Sequence, residues 1–81
     1  MFEHVADPAI RKALRSKNPT EAESALLIPV MEDALDADSE NPDVDFAVWQ
    51  LRHAALSNAV VASESAKWKE AHEFAQEFYN V

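Results

Sequence analysis

Glycine and cysteine are both absent from the 81 residues. Without glycine, two-residue hairpins and routine left-handed turns lose the residue that adopts them at no steric cost, which disfavours β-structure. The same absence excludes a glycine-rich phosphate loop and a Gly-x-Ser-x-Gly nucleophile elbow. Without cysteine there is no disulfide, no thiolate metal site and no thiol nucleophile, and the expected setting is a reducing one. Long apolar runs are missing too. The longest, Ala25 to Met31, has seven residues and contains Pro29, against roughly 20 needed to span a bilayer. The opening Met1-Phe2-Glu3-His4 has neither the basic start nor the apolar stretch of a secretory signal. The expectation is a soluble cytoplasmic protein that does not touch membranes.

Positive charge is also missing over a long interval. Residues 18–51 hold nine carboxylates and no Lys or Arg, whereas residues 1–17 carry a net charge of +2 and residues 52–81 of −1. A chain of net charge −8 is repelled by phosphate backbones and anionic lipid, so direct nucleic-acid binding is not expected.

Three prolines follow an Asx residue, at Asp7-Pro8, Asn18-Pro19 and Asn41-Pro42. Asp and Asn are good N-caps and Pro suits the first helical position, so each pair reads as a helix start. Thr20 with Glu23 offers an overlapping capping box beside Asn18 with Glu21. A first helix is predicted over about 8–16 and a second over about 19–36. The all-round apolar segment 25–31 implies burial on most sides, and Pro29 is expected to kink or break the helix. Asp36 to Asp43 reads as a loop. A third helix starts near Pro42 or Asp43, and its stretch 46–62 is apolar nearly all round, which makes it the expected central helix. One of its faces carries Phe46, Trp49, Leu56 and Val60; the opposite face is an alanine row suited to close helix approach. From Ala66 the pattern is amphipathic, with Trp68, Ala71, Phe74, Ala75, Phe78 and Tyr79 on one half and Lys69, Glu70, Glu73, Gln76 and Glu77 on the other. Ser63-Glu64-Ser65 marks a break or a continuation, with either serine available to cap a fourth helix. The reading is all-α: a single domain over 1–81 built as a small antiparallel bundle of three to four helices.

Three chemistries were weighed against spacing. Asp36-x-Asp38-x-Glu40 opens like a calcium loop, but its sixth position is Asn41 where the turn needs Gly and its twelfth is Ala47 where the bidentate Glu belongs. His4, His53 and His72 have no His or Glu at i−3 or i−4, so no helical metal site is expected. His53 shares a face with Trp49 and Val60, which suits a core or interface histidine. The carboxylates lie in a field of like charge with nothing to desolvate one of them. No catalytic residue, cofactor or metal is assigned.

Two surfaces remain. The aromatic set Trp49, Trp68, Phe74, Phe78 and Tyr79 is core, or in part a hot-spot surface for a protein partner or another copy of the chain. The acidic set Glu32, Asp33, Asp36, Asp38, Glu40, Asp43 and Asp45 is a solvated face, or docks a basic partner. The favoured function is therefore a non-enzymatic interaction subunit, such as an adaptor, assembly component or regulator, that docks or self-associates through its aromatic helical face. The alternative is an acidic nucleic-acid mimic that occludes the groove of a DNA- or RNA-binding protein, a size and composition suited to a bacterial or phage accessory protein. On the first reading Phe74→Ala and Phe78→Ala abolish association and leave the fold largely helical, while Asp36→Asn with Asp38→Asn does little.

Overall fold

The structure, a computed structural model, describes residue 2 and residues 4–81. Four helices pack together: α1 (Pro8–Leu14), α2 (Glu21–Glu40), α3 (Phe46–Glu64) and α4 (Trp68–Asn80). No strand occurs among the described residues, in line with the all-helical expectation.

The helix starts are set by side-chain caps, though not always the expected ones. Asp7 accepts a hydrogen bond from the Ala9 N–H at 2.9 Å, with Pro8 in the first turn of α1. For α2 the cap is Thr20 and not Asn18: its Oγ1 accepts from the Glu23 N–H at 3.3 Å and donates to the Glu23 carboxylate. Glu21 and Glu23 also meet the positive end of the helix.

Asn41-Pro42 ends α2 instead of starting α3. Asn41 Oδ1 accepts from the Asp43 N–H at 3.0 Å and its carbonyl from Val44 N–H at 3.2 Å, a turn with Pro42 at the first corner. Residues 36–40, expected as loop, form the last turns of α2, and α3 begins at Phe46 behind an Asp45 cap on the Ala47 N–H at 2.8 Å. Pro29 does not break α2. It stands on the solvent side, and Ala25, whose carbonyl loses its helical partner, is itself exposed.

The break after α3 is real, and neither serine caps α4. Lys67 N–H donates to the Ala62 carbonyl at 2.8 Å and Ala66 N–H to Ser63 at 3.1 Å, the paired bonds of a Schellman turn. Ser65 closes α3, its hydroxyl donating to the Val61 carbonyl at 2.9 Å. The turn requires a left-handed residue, and in a chain without glycine that role falls to Ala66, at φ 59°. An L-residue pays about 1–2 kcal/mol for this conformation. Ala66→Gly should therefore stabilise the protein by about 1 kcal/mol, seen as a Tm rise of about 4–8 °C. An unchanged or lowered Tm would contradict the left-handed turn.

Phe2, Ile10, Leu14, Leu27, Met31 and Phe78 make the heart of one core. Both α2 and α4 pack on every other helix, whereas α3 packs on α2 and α4 and, among the described residues, does not reach α1. The expectation that 46–62 lies in the middle is therefore corrected. Only Ala55, Leu56, Ala59 and Ala62 of α3 are buried, while Phe46, Leu51 and Val61 are 68%, 58% and 64% exposed. A domain of this size has too few layers to enclose a helix, so an all-round apolar helix is left with one dry side. Segment 25–31 behaves in the same way: Leu27 and Met31 are buried and Ala25, Leu26 and Pro29 face out.

The alanine row is the dry side. Ala55, Ala59 and Ala62 are all buried, as are Ala71 and Ala75 of α4, and α4 is the neighbour α3 contacts most. Small side chains on both helices let the backbones approach closely, as the sequence pattern suggested.

Candidate functional site

What α3 turns outward is the most distinctive surface of the molecule. From residue 46 to residue 63 its one charged side chain is Arg52, and Arg52 points inward. Its Nη1 donates to the carboxylate of Asp38 on α2, its Nη2 donates to the Val81 carbonyl at 2.8 Å, and the guanidinium lies 5.9 Å from the centre of the Phe78 ring. With that cation withdrawn, the exposed residues Ala47, Gln50, Leu51, Ala54, Ser57 and Val61 form a strip without formal charge, about 21 Å long at 1.5 Å per residue.

One border of the strip is aromatic. Phe46, Trp49 and His53, at i, i+3 and i+7, stack in sequence with ring centres 6.1 Å and 5.3 Å apart and planes 8° from parallel in both pairs. Helical spacing brings such positions onto one side. Trp49 is half-buried, and Phe46 and His53 are exposed, so His53 belongs to the surface stack and not to the core. A shallow depression beside the stack is lined by Asp38, Ser39, Asn41, Val44, Phe46 and Trp49.

The other aromatic candidates do not join this surface. Trp68, Phe74 and Tyr79 are half-buried on α4. Phe78, at 2% exposure, is core and offers a partner nothing. Its truncation is therefore a test of folding, and the expectation that Phe78→Ala spares the fold is corrected. The Tyr79 ring meets Phe78 edge-on at 5.0 Å, and its buried hydroxyl has no hydrogen-bond partner among the described residues. Burial, assisted by the negative charge of Asp7, pushes the Tyr79 phenol up to about 12 from 10.0. The folded state thus keeps a proton that the unfolded chain loses, so stability present below pH 10 declines as pH rises toward 12. Tyr79 is the one tyrosine of the chain, so tyrosinate absorbance reports it alone. The folded protein should titrate near 12 and the denatured protein near 10; equal midpoints would mean an exposed hydroxyl.

The acidic set divides. Asp38 is committed to Arg52 and Asp45 to the start of α3, so neutralising Asp38 removes an ion pair and is not inert. Glu32, Asp33, Asp36, Glu40 and Asp43 are exposed. The first four fall within about 100° of one another around α2, on its outer face. Among the described residues no group of three or more His, Asp or Glu side chains is placed to hold a metal ion, and no helix is long and apolar enough to cross a membrane.

Two side chains with structural roles escaped the sequence reading. His72, 5% exposed, bonds through Nε2 to the Ala13 carbonyl at 3.1 Å, and Gln76 donates to the Leu14 carbonyl at 3.0 Å. A carbonyl only accepts, so Nε2 of His72 carries the proton. Together they satisfy the last carbonyls of α1 from α4. The clue for His72 is its place on the helical wheel, about 20° beyond Tyr79 at the edge of the apolar arc. No family model, curated protein or solved structure matches the chain.

Proposed function

We propose that this protein is a non-enzymatic interaction subunit whose docking surface is the outward strip of α3 with its Phe46–Trp49–His53 border. The observation that carries the reading is the exposure of Phe46, Leu51 and Val61 along one uncharged helix face of a chain with net charge −8. Contiguous apolar surface of this kind marks interaction sites, and aromatic rings are typical anchors in them. The fitting partner presents an uncharged apolar helix or groove, with cations where the strip runs into Asp43 and Asp45. The short connections, residues 41–45 and 65–67, suit the antiparallel order of α2, α3 and α4 that this reading assumes.

Affinity capture with wild-type protein and with Leu51→Lys/Val61→Lys as bait tests the proposal. Both positions are exposed, so the double variant should keep its helical circular dichroism and lose the captured partner. Retention of the same partner by the folded variant would defeat the reading. The mimic reading keeps Glu32, Asp33, Asp36, Glu40 and Asp43 as its contacts. It would show instead as capture of a nucleic-acid-binding protein that elutes at moderate salt and is indifferent to the α3 substitutions.

A further inference from the structure

A second surface, separate from the α3 strip, lies where α1 meets the first half of α2. An open groove there has Pro8, Ala9 and Leu26 along it, with Leu26 40% exposed. Arg11, Lys12 and Arg15 line the same groove, and among the described residues Glu23 is the acid that lines it with them. It is the basic feature of an acidic molecule. The second half of α2 carries the opposite charge, with Glu32, Asp33, Asp36 and Glu40 exposed on its outer face. Beyond the Glu21 and Glu23 of its first turn, this helix of 20 residues, about 30 Å long, therefore exposes an apolar stretch flanked by the cations of α1 and then an anionic half.

We infer that the groove receives the acidic half of α2 from a second copy of the chain, in a two-fold dimer with the α2 helices antiparallel. The argument is charge complementarity carried on one element. When two such helices cross at their midpoints, near Val30 and Met31, the level of Leu26 in one copy coincides with that of residues 35 and 36 in the other. Arg11 and Lys12 of each copy then face the Asp33–Asp36 region of its mate, and symmetry makes the contact twice. The apolar residues Ala22, Ala25, Leu26 and Pro29, exposed in the isolated chain, are covered at the same time. A parallel pairing would set acid against acid in two molecules that each carry −8. A small domain with neither disulfide nor metal gains stability from such a contact.

Sedimentation and light scattering on the purified full chain at about 150 mM salt test the dimer. The expected species at high protein concentration has twice the 9.0 kDa chain mass. Arg11→Glu/Lys12→Glu and Asp33→Lys/Asp36→Lys should each weaken it by about tenfold or more, because each creates like-charge contacts at both ends. Mixed in equal amounts, the two variants should recover a dimer, since every cross-contact is again between opposite signs. Intramolecular ion pairs cannot behave in this way. Lys12→Glu with Asp36→Lys, both at exposed positions, replaces these variants if either pair of substitutions disturbs the circular dichroism. A wild-type chain that stays monomeric, a dimer unmoved by the substitutions, or folded variants that fail to recover on mixing would each overturn the inference. None of these results bears on the α3 strip, whose capture experiment is read separately.

Discussion

Truncating Phe78 to alanine should remove about 3–5 kcal/mol, a large share of the stability of this domain. The ring is 2% exposed, packs edge-on with Tyr79 and lies beneath the Arg52 guanidinium. Large-to-small changes at such sites cost about 3–5 kcal/mol, from lost burial plus the cavity left behind. A domain of 81 residues has only about 4–12 kcal/mol in total. Nothing covalent limits the loss. Urea denaturation followed by circular dichroism should show a much lowered midpoint, whereas Phe74→Ala, at a half-buried position, should lower it less. A Phe78→Ala protein that remained as stable as wild type would place the ring outside the core.

Replacement of Arg52 should be the most damaging change at any charged residue. Arg52 and Asp38 side chains are 26% and 24% exposed, so their attraction is only partly screened. Arg52→Met keeps the aliphatic packing but leaves the Asp38 carboxylate and the Val81 carbonyl without their donor. Breaking a fully buried pair costs about 3–5 kcal/mol, and the residual exposure reduces the expectation here to about 2–3 kcal/mol. Lysine should recover less than half of this. Its single ammonium cannot reach toward α2 and toward residue 81 at once, as the two arms of the planar fork do. A double-mutant cycle with Asp38→Asn isolates the ion pair, with a coupling of about 1–2 kcal/mol expected. A coupling of zero would mean that the arginine acts through Phe78 and residue 81 alone.

Element type was legible in the sequence because it depends on local signals. Asp7-Pro8 capped α1 as read, and the amphipathic run from residue 68 gave α4 its buried Ala71, Ala75 and Phe78. Boundaries failed where two local signals competed. Asn41-Pro42 suits both the end of one helix and the beginning of another. The choice fell to a tertiary contact, Asp38 held by Arg52, together with a local bond from Ser39 Oγ to the Asp36 carbonyl at 2.8 Å, and α2 extends beyond the expected end. Burial was the least legible property. Segments 25–31 and 46–62 are apolar on every side, and periodicity cannot choose a buried side when all sides look alike.

The candidate surface was half legible for the same reason. Phe46 and Trp49 were placed together on one face of the third helix, but the opposite alanine face proved to be the buried one, which left the rings at the edge. Arg52 was the missed key. It sits in the middle of the buried arc, close to Leu56 and Ala59 on the wheel, and its inward turn makes the outer strip uncharged. A lone cation after a long acidic interval is a signal for an internal counter-ion.

The stitching of α1 to α4 also sets an order of events in synthesis. Ala13 and Leu14 receive their bonds from His72 and Gln76, and His4 Nε2 lies 2.7 Å from the Tyr79 carbonyl, so these contacts close loops of 59, 62 and 75 residues. A seven-residue helix is too short to persist by itself in water. The segment made earlier is thus fixed only when α4, about 60 residues later in the chain, is available to it. Ile10 and Leu14 accordingly stay available to chaperones until α4 arrives.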